Sequence, residues 1–132
     1  MNSIMARRAS LFTVLGLLAV LTSSCGGGSD EEGAPAPLRL SADEITFTGP
    51  NSTSCGTGTA LVYVYGGAAP YKIDNTWPTV MTVSKTQVNH PGESFELNVF
   101  NAGFCVAPAT IVVTDARNRQ VTLTVTTEVG DQ

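Results

Sequence analysis

The stretch from Ala109 to Val125, ATIVVTDARNRQVTLTV, decides the class of fold. Its second half places Val121, Leu123 and Val125 at alternate positions with threonines between them, the pattern of a strand with one buried face. ATIVVT, at its start, has the same β-forming composition. DARNR between them has turn chemistry, since Asn118 is a residue type that accepts a left-handed backbone. The stretch therefore predicts a β-hairpin.

The same period of two runs through the rest of the chain from Leu38 onward, and no helical pattern interrupts it. LRLSADEITF predicts a first strand broken at Ser41-Ala42-Asp43, while APYKID, VMTVS and SFELNVF predict short strands. TALVYVYGG carries apolar residues on both faces, which favours a central strand. GPNSTSCGTG, KTQVNHPGE and NAGFCVAP are interpreted as loops or irregular segments. About seven short strands predict an all-β fold, an immunoglobulin-like β-sandwich.

Two stretches resemble one known family. GGAAPYKIDNTWPTVMTVS resembles the GG-x-x-P-Y segment and following strand of bacterial Ig-like (Big) domains, and ATIVVTDARNRQVTLTV resembles their final hairpin. The likeness covers most of residues 38–129 and implies a fold more than an activity. The chain departs from the family at Asn118-Arg119, where Gly is frequent, and in carrying Cys55 and Cys105, which many members lack.

The first 24 residues have the parts of an export signal, with Arg7 and Arg8 ahead of an apolar run from Leu11 to Leu21. That run of eleven residues is shorter than the ~20 needed to cross a bilayer as a helix, so it predicts a removable leader. LTSSC, ending at Cys25, resembles the lipobox of bacterial lipoproteins, although Thr22 stands where leucine is usual.

This resemblance implies that the Cys25 thiol is lipidated and anchors the mature chain in a membrane. Gly26 after it, where Asp would signal retention at the inner membrane, resembles an outer-membrane address. The alternative is ordinary cleavage near Ser24, which would release a soluble periplasmic or secreted protein. Which face of the outer membrane the domain would occupy stays open.

Composition divides the chain into four predicted parts. The leader covers residues 1–24, a flexible Gly/Ser/acidic/Ala-Pro tether 25–37, the sandwich 38–129 and a short tail 130–132. The tether has nothing to bury and carries three consecutive acids, so it is expected to stay mobile and extended. Fully stretched, it would span roughly 30 to 40 Å.

Three cysteines in an exported chain leave one without a disulfide partner, and lipidation of Cys25 would account for that one. Cys55 and Cys105 are then expected to form a disulfide in an oxidising compartment. Closing a loop of about 50 residues would stabilise the domain by roughly 4 kcal/mol. The rival interpretation, a metal site, lacks both CxxC spacing and nearby histidines.

Charge and motifs narrow the function classes. From Cys25 onward five basic residues face eleven acidic ones, a net charge of −6, which argues against nucleic-acid binding. His90 is the single histidine, it lies in a turn-like NHPG, and no GxSxG, HExxH or P-loop is present. Oxygen-bearing residues at Asp74-Asn75 and at Asp115 with Asn118 are better explained by turn chemistry than by Ca²⁺ binding. We expect no catalytic residues, no metal and no cofactor.

Aromatic residues remain as candidates for ligand contact. Trp77 would pack against the disulfide and Tyr63, Tyr65 and Tyr71 would cap the core in a typical sandwich. Exposed Trp77 and Tyr71 on one face would instead suit a protein partner or a glycan. The sequence thus predicts a noncatalytic envelope lipoprotein whose Ig-like module serves protein–protein interaction, adhesion or envelope structure. A carbohydrate-binding module, or a self-assembling or strand-accepting subunit with ALVYVY at an edge, are the alternatives.

Overall fold

The structure, a computed structural model, describes residues 36–100 and 103–131. The predicted leader, the lipidation site Cys25 and the predicted tether up to residue 35 lie outside the described residues. Among the residues it does describe, there is no helix of a length and hydropathy that could cross a membrane.

Nine β-strands in the described part of the chain form two sheets packed face to face. The strands are β1 (Arg39–Leu40), β2 (Glu44–Thr48), β3 (Gly58–Tyr65), β4 (Tyr71–Asn75), β5 (Met81–Val83), β6 (Gln87–Val88), β7 (Ser94–Val99), β8 (Ala109–Thr114) and β9 (Gln120–Glu128). One sheet has the order β1-β3-β7-β5 and the other β2-β9-β8-β4-β6. All pairs are antiparallel except β2 with β9, which is parallel. The protein is therefore an immunoglobulin-like β-sandwich, as predicted.

The strand count exceeds the expected seven for two reasons. The predicted break at Ser41–Asp43 separates β1 from β2, which pair with different sheets. Because Leu40 and Ile45 are an odd number of residues apart, one continuous strand would turn one of them away from the core. The short strand β6 lies in the segment predicted as a loop, where it pairs with Tyr71 and Lys72 of β4.

The core lies between the sheets and consists of the alternating apolar residues of the long strands. Phe95, Leu97 and Val99 of β7 face it together, and Leu123 and Val125 of β9 face it from the other sheet. The β8–β9 hairpin is confirmed, with Thr114 opposite Gln120. Asn118 in its turn has a φ of 61°, the left-handed conformation expected there.

The two ends of the sandwich are built from different segments. We call the near end the one where residue 36 joins the sandwich, because the Gly67 N–H donates to the Ala36 carbonyl there (2.7 Å). It also holds the turns at 66–70 and 115–119. The strand directions place residues 49–57, 76–80, 100, 103–108 and 129–131 at the opposite, far end.

Candidate functional site

Exposed apolar side chains concentrate at the far end. Phe100, Phe104 and Val129 are 50%, 47% and 42% exposed, and the half-buried Trp77 lies beside Phe104. The Trp77 and Phe104 rings lie with centroids 6.0 Å apart at an interplanar angle of 39°. We call these four residues the far-end patch. Since exposed aromatic residues of this kind are the typical anchors of protein interfaces, the patch is our candidate binding site.

Trp77 is held by the short turn between β4 and β5. The Asn75 side-chain oxygen accepts the Trp77 N–H (2.9 Å), and the Trp77 carbonyl accepts from the N–H groups of Val80 and Met81 (3.1 and 3.2 Å). One part of the indole packs against the core and another contacts Phe104. The ring is therefore positioned before any ligand arrives, which lowers the entropic cost of binding.

The disulfide between Cys55 and Cys105, confirmed as predicted, fixes the Phe104 side of the patch. The two Cα atoms are 5.1 Å apart, and Cys55 also forms an isolated antiparallel bridge with Val129. The disulfide joins the 49–57 loop to the segment that carries Phe104, and the bridge joins the same loop to the chain after β9. These bonds hold exposed apolar residues on irregular backbone in one place.

Hydrogen bonds fix the flanks of the same segment. The Val106 N–H donates to the Thr127 hydroxyl (2.7 Å), and the Thr127 N–H donates to the Val106 carbonyl (2.8 Å). At the other side, the Phe100 N–H donates to the Val80 carbonyl (3.1 Å). The backbone beside each phenylalanine is therefore tied to a strand or to the Trp77 turn.

The charge around the far-end patch is negative or neutral. No lysine or arginine occurs in the segments 49–57, 76–80, 100–108 or 129–132, whereas Glu128 and Asp131 are exposed acids there. A surface that inserts among anionic lipid headgroups usually carries basic residues around its apolar side chains. The segments around the patch therefore lack the basic residues that such a lipid-inserting surface carries.

The two predicted ligand-contact residues are not brought together. Tyr71 is 0% exposed, so it belongs to the core, as the first of the two interpretations expected, and the alternative of an exposed ring at this position is wrong. It occupies an inward position of β4 together with Ile73, and its hydroxyl donates to the Gly66 carbonyl at the near end. Burial, followed by the nearby Asp115 carboxylate, raises the pKa of Tyr71. Trp77 lies at the far end and keeps only part of its surface exposed.

Other tyrosines form a second exposed feature on the outer face of the four-stranded sheet. Leu61 and Tyr63 of β3 are 56% and 38% exposed, and Tyr65 continues the same row toward the near end. The rings of Tyr63 and Tyr65 are 6.3 Å apart and inclined by 15°, and the Arg39 guanidinium lies 5.0 Å from the centre of Tyr65. Tyr63 therefore does not cap the core, unlike Tyr71.

A cavity of about 250 Å³ at the near end is lined by Tyr71, Lys72, Asp115, Asn118 and their neighbours. Burial alone would raise the pKa of Asp115. The backbone N–H groups of Arg119, Ala68 and Arg117 and the Arg119 side chain donate to its carboxylate and lower the pKa to about 2. Both oxygens are thus engaged within the protein, and they shape the β8–β9 turn as the turn-chemistry interpretation expects.

Within residues 36–100 and 103–131, no three histidine, cysteine, aspartate or glutamate side chains come together as a metal-binding group would. His90 is exposed in the segment between β6 and β7, and the Glu93 N–H donates to its carbonyl (3.3 Å).

Sequence reasoning did not identify Phe100, Phe104 or Val129 as site residues. The alternation of buried and exposed residues in β7 could have predicted an exposed Phe100, because Phe100 follows the inward-facing Val99 and so falls on the outer face. Phe104 and Val129 lie close together because Cys55 bonds to Cys105 and also forms the backbone bridge to Val129. A local sequence pattern does not encode such long-range links.

Comparison with known proteins gives no family for the chain. A scan against models of protein families finds no match, and a search of the curated proteins finds none either.

Proposed function

We propose that this protein is a noncatalytic lipoprotein of the bacterial cell envelope whose Ig-like domain binds another protein through the far-end patch. The observation that supports this most is the concentration of exposed phenylalanines at one end of a sandwich, where a disulfide fixes the backbone beside Phe104 and a hydrogen bond to Val80 fixes that of Phe100. The anchor rests on the sequence alone, through the resemblance of LTSSC to a lipobox and the position of Gly26.

The position of the patch suits a tethered domain. The tether leads to Ala36 at the near end, whereas the patch lies at the opposite end, beyond the nine residues of β9. Strands of that length extend about 30 Å, so within the domain the patch lies about that far from the end where the tether joins it. Such an arrangement allows contact with a partner that the anchor does not reach.

The size of the patch points to a transient complex. Two half-exposed phenylalanines, a valine and part of a tryptophan fall short of the ~800 Å² per partner that a standard interface buries. Phe100 and Phe104 would then act as the anchors of the complex, and replacing either by alanine should weaken binding by about 1 to 2 kcal/mol or more.

Site-specific photo-crosslinking in the source bacterium tests the binding role. A photoreactive residue at Phe104 should give a discrete crosslinked product, and the same residue at Thr122, exposed on β9, should not. Adding Phe100→Ala to the Phe104 probe should reduce the product. Equal products from both probe positions, or none from Phe104, would contradict the proposed surface.

The anchor is tested separately. Replacing Cys25 by serine should move the protein from the membrane fraction to the soluble fraction and abolish incorporation of labelled palmitate. An unchanged distribution would refute lipidation at Cys25 while leaving the binding surface to its own test. Protease treatment of intact and lysed cells then distinguishes a surface-exposed domain from a periplasmic one.

A further inference from the structure

One edge of the four-stranded sheet is open over part of β3. The neighbour on that side, β1, pairs only with Val64 and Tyr65. Ser41 extends this cover by one residue, because its N–H donates to the Tyr63 carbonyl and its hydroxyl accepts the Tyr63 N–H (both 3.0 Å). The chain then leaves for the other sheet, so no described strand lies beside residues 58–62 on this side.

The backbone groups that face the opening belong to Thr59 and Leu61. The Val64 N–H donates to the Glu93 carbonyl, which shows that even-numbered residues of this stretch direct their groups toward β7. Since successive residues of a strand alternate in this direction, the N–H and C=O groups of Thr59 and Leu61 point away from β7. Both residues are exposed.

Other sheet edges carry features that discourage pairing. On β5, the Met81 N–H donates to the Trp77 carbonyl, and the Met81 carbonyl accepts from the Asn75 side chain (2.6 Å). On β2, the sequence EITFT presents Glu44 and threonines, and a charged residue is a usual guard of an edge. By contrast β3, GTALVYVY, contains no charged residue and exposes Leu61 and Tyr63 beside its opening.

We propose that this opening binds an extended segment of another polypeptide, which adds as a strand beside Thr59–Leu61 and packs apolar side chains on Leu61 and Tyr63. An extended peptide fits this edge because the outward N–H and C=O groups of Thr59 and Leu61 repeat every second residue, which matches the spacing of hydrogen-bonding groups in a strand. Charge complementarity narrows the sequence of this segment. Glu96 lies opposite Leu61, so the segment should carry a basic residue near this position.

A second folded copy of this chain fits the opening less well. Its own β3 would have to approach edge to edge, yet Ser41 closes Tyr63 in each copy. On the other side of the opening, the chain before Gly58 turns toward β9, since the Gly56 N–H donates to the Glu128 carbonyl (3.0 Å). A short extended segment avoids both obstacles, because it can end before Tyr63 on one side and before Gly58 on the other. The surface shares no residue with the far-end patch, so this proposal and the proposed function stand independently.

Binding can be tested on the full chain carrying Cys25→Ser, with a phage-displayed library of random dodecapeptides as the probe. Selected peptides should alternate apolar and polar residues. In the free protein the amides of Thr59 and Leu61 should exchange quickly with solvent while those of Ala60 and Val62 are protected, and an added peptide should protect the first pair.

Two proline variants form a matched pair. Leu61→Pro removes an outward N–H without touching the bonds to β7, and should weaken peptide binding about tenfold or more. Thr46→Pro is the matched change on β2, and it should leave peptide binding unchanged. The hydrogen bonds of Asp43 and Gly49 to β9 show that odd-numbered residues of β2 direct their backbone groups toward β9, so the Thr46 N–H points outward.

Three results would overturn the proposal. They are failure to select any peptide, peptides that bind wild type and Leu61→Pro equally, and protection of the Thr59 and Leu61 amides in a concentration-dependent dimer without peptide. The last result would make a second copy the occupant. The exchange measurement on the wild-type residues at positions 59–62 decides the question even if Leu61→Pro does not fold.

Discussion

Removing the bond between Cys55 and Cys105 should lower the free energy of unfolding by about 4 kcal/mol. The two cysteines are 50 residues apart, and the chain-entropy model gives about this value for a loop of that length. A domain of this size has a total stability of about 5 to 15 kcal/mol, so the loss would be a large fraction. It corresponds to a fall in Tm of roughly 15 to 30 °C.

The suitable variant is Cys55→Ala/Cys105→Ser in the Cys25→Ser background. Alanine is chosen at position 55 because Cys55 is buried, and serine at position 105 because Cys105 is exposed. Urea unfolding monitored by tryptophan fluorescence gives the midpoint of the transition and the slope of the free energy of unfolding against urea concentration. Trp77 is the single tryptophan of the chain and reports on this unfolding. Ser52→Ala, an exposed change in the same loop, should alter stability by less than about 0.5 kcal/mol.

Chemical reduction of the native pair separates the crosslink from the side chains. If the reasoning holds, the reduced protein and the double variant lose the same stability. An unchanged midpoint in both would refute the loop-closure argument. A loss in the variant alone would assign the effect to packing around Cys55. Crosslinking from Phe104 should also decline on reduction, since the disulfide fixes the segment that carries this residue.

Three further changes test the fold. Leu97→Ala removes a fully buried side chain from β7 and should cost about 2 to 5 kcal/mol in urea unfolding, while Glu96→Ala beside it should cost less than about 0.5 kcal/mol. The pKa of Asp115 is lowered from 3.8 to about 2, so the stability that its carboxylate contributes is present above pH 4 and is lost as the pH falls from 4 to 2. Over this range the unfolding midpoint of Asp115→Asn should therefore fall less steeply than that of the wild type. Gly67→Ala places a Cβ 2.9 Å from the Asp115 carboxylate at a φ of 63°, and should destabilise the domain by about 1 to 2 kcal/mol, whereas an unchanged melting curve would contradict the backbone argument.

Local patterns predicted the strands that hold most of the core. The alternation of Val121, Leu123 and Val125 identified β9, and the odd spacing between Leu40 and Ile45 accompanied the break between β1 and β2. Side-chain period and turn chemistry suffice in such cases because the information lies within about ten residues. The disulfide was also predictable, from the cysteine count and the assumption that Cys25 is modified.

Features that depend on tertiary neighbours were predicted less well. β6 is two residues long and exists only through pairing with β4, so its polar surroundings indicated a loop. The apolar composition of β3 suggested a central strand, yet β1 covers only its last two residues, and Leu61 stays exposed. Tyr71 was a candidate for ligand contact although its alternation with Ile73 already placed it inward. The far-end patch assembles from three segments that are distant from one another in sequence.

The crossing of the chain at Ser41–Asp43 determines how the domain would bear a mechanical load. A pull between residue 36 and a partner held at the far end acts along the axes of β1 and β2, and therefore shears their hydrogen bonds instead of opening them one by one. The two residue pairs of β1 with β3 would give way first. The five parallel pairs of β2 with β9 would then resist together, so the second sheet should remain folded after the first strand is released.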